Sequence, residues 1–459
     1  MHTNIISLNS NHPKSVIKQL NSTESLPFTE ILSVKNLVNS LKNINHRERI
    51  FTPDIIILGF LSQALNADKS CQAAVARIIA FLLSQGKNVP SANTAAYSKA
   101  RSRLPENTLS NLAKQSAKQM ETDVPSAWLW REKHIKLIDG STVFMPDTPD
   151  NQIAYPQSRC QKAGLGFPIA RIVGILSYAT GTILDIAVGA CRGKGTGELS
   201  LLRQLMHVFN PGDVVIGDAA YTSFFLIALF MQLKVDVVFP FNHSRNCDFR
   251  RGQRLGKKDH LVQWRKPQRP EWMDQETYDT FPDEISIREV NVQSERKGFK
   301  SKSRIIVTTF MDSNNVTRKD LKILYEYRWH VELDLRSIKD TMRMGLLRGK
   351  TPSMVHKEIW AHILAYNLIR KIMAQAAYIH KKKPRELSFK LALQLIDAFK
   401  QAAIFTGKRK DIYEHLLKMI VCKKVGNRAG RCEPRRLKRR PKNFPLLMKA
   451  REHYHRVAA

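Results

Sequence analysis

From about Thr52 to Gln119, apolar residues recur every three to four positions. Ile55, Ile56, Leu58 and Leu61, then Ala73, Val75, Ile78, Ile79 and Leu82, lay apolar stripes along helices. Pro53 suits a helix start and Gly86 a helix end. The residues before this region are polar and rich in Asn and Ser, which reads as a loose lead-in followed by a short helix. Thr94 to Arg103 is a basic piece stopped by Pro105. A helix there either turns Lys99, Arg101 and Arg103 toward phosphates or leaves them as an ordinary solvated face.

At Lys133 the period changes. Ile135 to Met145, Pro168 to Tyr178 and Gly181 to Ala190 are rich in Ile, Val and Thr and broken by turn residues, the pattern of strands. The Ala179-Thr180-Gly181 turn makes a hairpin of the last two. A helix over Gly197–Phe209 follows, then a strand over Asp213–Gly217, an apolar helix over Ser223–Leu233 and a strand over Val235–Phe241. Three antiparallel strands, a helix, a parallel strand, a helix and another strand is the order of a ribonuclease-H-like core. From about Ser244 to Lys302 the chain is dense in charge, with Arg250, Arg251, Arg254, Lys257, Lys258, Trp264 and Trp272, and reads as short strands and loops inserted into that core. Arg304 to Phe310 is a returning strand. Helices over Val316–Met344, Met354–Ile379 and Phe389–Phe405 come next, and then a basic tail from Lys408 whose densest cluster is Arg435 to Lys442. The expected organisation is α/β: a helical N-terminal region over 1–125, a core with its β-rich insertion at about 244–302 over 126–405, and a basic C-terminal region over 406–459.

Charge narrows the function. Lys and Arg number 74 against 40 Asp and Glu, a formal net charge of +34. Such an excess builds a field that draws polyanions, so a nucleic acid partner is favoured over a generic basic protein or one bound to ribosomes or acidic lipid. The six cysteines contain no C-x-x-C pair, which reads as reduced thiols in a cytoplasmic protein. Cys422 and Cys432 with His453 and His455 match no common zinc module. The longest apolar run, Phe224 to Leu233, is too short for a bilayer, so no membrane is expected.

Two carboxylates end apolar strands. Asp139 stands in Ile135-Lys-Leu-Ile-Asp139 and Asp218 in Val214-Val-Ile-Gly-Asp218. Side by side, they offer the hard oxygen ligands that a divalent cation takes, although an Asp after a strand is often only a turn former or cap. The helix after the insertion carries Tyr325, Arg328, Glu332 and Lys339. At about 100° per residue, the last three fall about −60°, −20° and −40° from Tyr325, one narrow stripe. Leu324, Val331, Leu335, Ile338 and Met342 lie beside it as a docking face. Ordinary i,i+4 pairing accounts for Arg328 and Glu332; it does not place Tyr325 and Lys339 on the same line.

The Y-x2-R-x3-E-x6-K spacing resembles the signature of the bacterial IS-four-type DDE transposases, which act by cut and paste. Asp139-Gly-Ser-Thr142 with Met145-Pro-Asp-Thr-Pro149 resembles the family's first acidic motif, and Gly217-Asp-Ala-Ala-Tyr-Thr222 its second. The charged insertion lies where the family keeps a β-strand insertion, and the resemblance spans roughly Thr52 to Lys442. It implies that Asp139, Asp218 and Glu332 form a triad holding two Mg²⁺ or Mn²⁺ ions. It also implies that Tyr325, Arg328 and Lys339 hold phosphates and a displaced base near the cut DNA end. The expected partners are double-stranded DNA, as terminal inverted repeats and target, and a second copy of the chain in a homodimer that pairs two ends. The expected route is nicking, hairpin formation, hairpin opening and strand transfer. The strand Ser303 to Thr309 lacks the Trp on which some members stack a flipped base, leaving Trp264, Trp272 and Trp329 as substitutes. Asp147, Glu198, Asp334 and Asp340 are acidic neighbours without the spacing of Glu332. Gly193-Lys-Gly-Thr-Gly197 lacks the earlier Gly of a P-loop and reads as a strand-to-helix turn. Two other readings use the same core: a silent transposase-derived DNA-binding protein and a metal-dependent nuclease.

Overall fold

The computed structural model describes residues 50–84, 86–160, 162–242, 245–294, 302–406, 409–422, 424 and 449. The lead-in before residue 50 and the basic cluster Arg435 to Lys442 lie outside the described residues, as do Cys432, His453 and His455. The chain divides into two compact units, 1–123 with 337–425 and 124–336 with 426–459.

The first unit opens with α1 (Pro53–Leu65), α2 (Cys71–Ser84), α3 (Ala95–Arg103) and α4 (Glu106–Thr122). Pro53 starts α1, where its missing N–H costs nothing. The chain then enters the second unit, where nine strands form one sheet in the order β3-β2-β1-β4-β5-β9-β8-β7-β6. β1 (Ile135–Phe144), β2 (Ile169–Ser177) and β3 (Ile183–Ala190) form an antiparallel meander. β4 (Val214–Ile216) and β5 (Asp236–Pro240) run parallel to β1. Such strands are buried on both faces, and Val214, Val215 and Ile216 are all buried. Lys136 enters this core because Asp213 pairs with its ammonium at 2.7 Å and the Val208 carbonyl accepts from it at 2.7 Å. Helices α5 (Pro149–Ala154), α6 (Glu198–Arg203) and α7 (Phe224–Gln232) lie in the connections. The expected helix over Gly197–Phe209 is shorter: α6 is followed by a separate 3₁₀ turn, Met206–Val208.

The insertion extends the sheet rather than merely covering it. β6 (Gln253–Gly256), β7 (Asp259–Arg265) and β8 (Glu284–Ser294) lie beyond β9 (Lys302–Thr308), with α8 (Gln275–Asp279) between β7 and β8. β9 is antiparallel to both β5 and β8, so it joins the two halves. Arg288 on β8 is fully buried. It holds Asp259 bidentately at 2.9 and 2.7 Å and donates to the Val316 carbonyl at 2.6 Å. The insertion thereby anchors the segment that leads into α9 (Arg318–Tyr327), whose start is closed by a capping box between Thr317 and Asp320.

The expected single helix over Val316–Met344 is three pieces: α9, α10 (Trp329–Arg336) and a π-helical turn, Ser337–Thr341. The division into units falls between α10 and that turn. Residues 337–425, assigned above mostly to the core, cluster instead with the N-terminal helices. Their axis is α11 (Pro352–Ile379), 28 residues and about 42 Å long. It is buried along most of its length, and α1, α4, α12 (Phe389–Thr406) and α13 (Arg409–Val421) pack on it. Helix α13 falls in the stretch read as a basic tail. On α3, Lys99 and Arg103 are exposed, but Arg101 faces inward over the Phe60 ring at 4.5 Å and donates to Cys71. It is therefore not offered to phosphate. Among the described residues, no helix is long and apolar enough to cross a membrane.

Candidate active site

The parallel register decides where the first two carboxylates meet. Leu137 on β1 pairs with Ile216 on β4, and Asp139 and Asp218 each stand two residues further on. They stand at the same level of neighbouring strands, about 4.8 Å apart; Asp218 lies just past the end of β4, whereas Asp139 lies inside β1, which runs on to Phe144, so the expected strand end holds for Asp218 alone. Asp218 caps the 3₁₀ turn Ala219–Tyr221 by accepting from Ala220 N at 2.8 Å. Asp139 Oδ1 accepts from Gly140 N at 2.8 Å. Burial, then the charges of Asp218 and Glu198, outweigh that bond and Arg328 and push the Asp139 carboxyl up to about 6. Mutual repulsion at this point is what a bound cation relieves.

Helix α10 packs against β1 and carries Glu332. Arg328, at the junction of α9 and α10, donates to Glu332 at 2.7 Å. Burial works against the charge of Arg328, but Tyr325, Glu332 and Asp139 outweigh it, so its pKa is raised. One guanidinium thus connects the third carboxylate electrostatically to the first. Tyr325 accepts from Arg304 Nη1 at 2.7 Å, with the Arg304 and Arg328 guanidinium groups 5.6 and 6.0 Å from its ring centre. Tyr327 stacks on Tyr178 at 4.1 Å, with His330 edge-on to Tyr178 at 5.3 Å, which pins the α9–α10 junction to the turn between β2 and β3. Lys339 lies on the π-helical turn that clusters with the helical unit, and its carbonyl accepts from Gly345 N at 3.2 Å. Arg328 keeps helical dihedrals, whereas the wider π turn at Ser337–Thr341 departs from the constant 100° step on which the stripe was drawn.

A fourth carboxylate, set aside in the sequence for lacking the spacing of Glu332, stands beside the first. Glu198 is the first residue of α6, and a Cβ on Gly140 would lie 2.6 Å from its Cδ and Oε1. The absent side chain beside Asp139 is what admits it. Tyr221 belongs to the same cluster: its buried hydroxyl closes no hydrogen bond of normal geometry. Burial, then Glu198, Asp139 and Asp218, hold it protonated, its pKa far above the usual value. Gly217 makes room for that ring, since a Cβ there would lie 2.8 Å from it. Arg304 was missed. The substitutes for the stacking Trp separate clearly. Trp264 is buried with its Nε1 bound to Glu289, Trp272 lies under the Arg203 guanidinium at 3.8 Å, and Trp329 is 41% exposed. Asp334 is buried, whereas Asp147 accepts from Gln152 at 2.8 Å.

Residues 130–368 match the family described as transposase DDE domain. The chain belongs to that family. The matched span runs from just before β1 into α11 and so contains all nine strands together with α9 and α10. This DDE transposase is 26% identical over 371 residues to "Transposase InsG for insertion sequence element IS4" of Escherichia coli (strain K12), covering 79% of this chain and 80% of that relative. The resemblance to IS-four-type transposases, read from the spacing of Tyr325, Arg328, Glu332 and Lys339, thus stands on an independent comparison.

Proposed function

We propose that this transposase binds the terminal inverted repeats of its own insertion sequence and cuts and joins DNA strands at their ends, as a homodimer that pairs two ends. Asp139, Asp218 and Glu332 are its triad. The observation that carries the reading is the in-register pair Asp139 and Asp218 with Glu332 linked to it through Arg328. The strands β3-β2-β1-β4-β5 are its ribonuclease-H-like core, β6–β8 its insertion, and the helical unit its grip on the element ends. The donor set is all carboxylate and crowded enough to raise Asp139, which fits hard divalent ions such as Mg²⁺ or Mn²⁺. When bound, two such ions supply activation of an attacking oxygen and stabilisation of a leaving one. Arg328 provides a fork for phosphate and Lys339 a point charge, while Tyr325, held by Arg304, offers a ring face near the cut end. The test is cleavage of DNA carrying the sequences that flank the gene. Mg²⁺- or Mn²⁺-dependent cuts at the element ends, followed by joining to a second duplex, are the expected result. Binding without cutting indicates a silent DNA-binding protein, and cutting without joining a nuclease.

Two further outcomes follow from the same reading. With a net charge of +34, binding to end DNA is expected to weaken by at least about 10³-fold between 50 and 200 mM salt, measured by fluorescence anisotropy. A flat salt response contradicts a phosphate-dominated interface. Glu198→Gln is expected to raise the Mg²⁺ concentration for half-maximal cleavage by about 10–100-fold, the scale seen when a group that orients metal ligands is lost. Gly140→Ala, whose methyl would meet the Glu198 carboxylate, is expected to do the same. An unchanged Mg²⁺ response in both variants removes Glu198 from the site.

A further inference from the structure

Within the insertion, three segments bring a thiol, an imidazole and a carboxylate together. His260 on β7 and Glu289 on β8 are direct partners across the antiparallel ladder, and the chain between β5 and β6 brings Cys247 onto that pair. Cys247 Sγ lies 3.8 Å from His260 Nε2, which lies 3.1 Å from Glu289 Oε2. All three ligand atoms fall within 4.8 Å of one another. His260 and Glu289 are buried, whereas Cys247 is partly exposed.

The other ring nitrogen governs what Nε2 can do. Nδ1 of His260 lies 2.7 Å from the Arg251 carbonyl oxygen, which only accepts, so Nδ1 carries a hydrogen and donates it. A neutral His260 therefore points a lone pair from Nε2 at a carboxylate oxygen that has only lone pairs to return. Something positive belongs between them: a second ring proton or a cation. The second Glu289 oxygen accepts from Trp264 Nε1 at 2.9 Å. Imidazole and carboxylate are thus each oriented from behind by another group, the usual support of metal-ligating side chains. Tetrahedral zinc, with Zn–S about 2.3 Å and Zn–N or Zn–O about 2.0–2.1 Å, sets neighbouring S and N about 3.6 Å apart and N and O about 3.3 Å apart. The observed 3.8 and 3.1 Å lie within a few tenths of an ångström of those values. An imidazolium–carboxylate pair explains the shorter contact, and burial and Glu289 then hold the Cys247 thiol protonated beside it.

We propose that Cys247, His260 and Glu289 form a structural site for a zinc-type divalent cation, which fastens the segment carrying Cys247 to the β7–β8 pair, with water as fourth ligand on the Cys247 side. Thiolate and imidazole donors distinguish this site from the all-carboxylate triad and select zinc over magnesium. Binding sends the Cys247 thiol proton to solvent, together with the Nε2 proton where the ring carries one.

The test uses the full-length protein, stripped with chelator and titrated with Co²⁺ as a spectroscopic stand-in for zinc. A thiolate-to-cobalt charge-transfer band saturating at one equivalent and displaced by Zn²⁺ is expected in the wild type and, unchanged, in Glu332→Gln. Cys247→Ser should lose that band, and Cys247→His should keep tetrahedral cobalt absorption without it. Zn²⁺ should raise the wild-type melting temperature by several degrees and leave Cys247→Ser unmoved. No charge-transfer band in the wild type, or one that persists in Cys247→Ser, overturns the proposal and leaves an imidazolium–carboxylate pair.

Discussion

Glu332→Gln is expected to abolish metal-dependent strand cleavage, by about 10³-fold or more, while DNA affinity stays within about twofold. A thousandfold loss is about 4 kcal/mol of transition-state stabilisation, the scale expected when a metal site loses an anionic ligand. Folding should survive. The Arg328–Glu332 pair is partly solvated, with side-chain exposures of 21% and 37%, so its contribution to stability is at most about 1 kcal/mol. The amide oxygen of Gln can still accept from Arg328. Single-turnover cleavage, anisotropy and thermal melts on one preparation separate the three quantities. Cutting at the wild-type rate would mean that another carboxylate holds the ions, and Glu198 is the one already standing at Asp139. Loss of cutting together with loss of DNA binding would assign Glu332 to the interface instead.

The first two carboxylates were legible because each follows a buried apolar run, although β1 itself continues through Asp139, and register then sets the two side by side. Glu332 was legible through its spacing from Arg328, since that contact is local. Glu198 stood out only as one acidic neighbour among several, for the opposite reason. It lies far along the chain from Asp139, and what brings it there is a side chain that Gly140 does not have. The π turn at Ser337–Thr341 left no mark because periodicity assumes a constant angular step, and Lys339 was placed by that assumption. Charge misled twice. Basic residues over 408–422 suggested a tail, yet Leu416, Leu417 and Ile420 are buried and α13 packs on α11. For Arg101 charge left phosphate contact and solvated face equally open, and the guanidinium instead covers Phe60. The insertion read as surface because its strands are rich in charge. Arg288 and Asp259 show how such residues enter a core, by satisfying one another completely.

Asp139→Asn is expected to abolish cleavage by a similar factor and, unlike Glu332→Gln, to make the ion-free protein more stable at neutral pH. The native carboxyl titrates at about 6 against an ordinary 3.8, raised by burial first and then by Asp218 and Glu198. The native state therefore holds this proton more tightly than the unfolded chain does. The resulting stabilisation is fully present below about pH 4 and is lost as pH rises through about 6. At pH 8 the charged side chain costs the native state up to about 3 kcal/mol, taking about 1.4 kcal/mol per pKa unit, and less where solvent reaches the site. Asn has the same shape and carries no charge, so about 1–2 kcal/mol should be recovered, a rise of several degrees in melting temperature at pH 8. The gain should vanish near pH 4, where wild-type Asp139 is itself neutral. It should also shrink at pH 8 when Mg²⁺ saturates the wild type, because a bound cation offsets the same repulsion and stabilises only the protein that can hold it. Paired melts at pH 4 and 8, with and without Mg²⁺, read all of these signs. An Asn variant no more stable than wild type at pH 8 would show that the carboxylates are not crowded, and with that the physical reason for an ion at this site is gone.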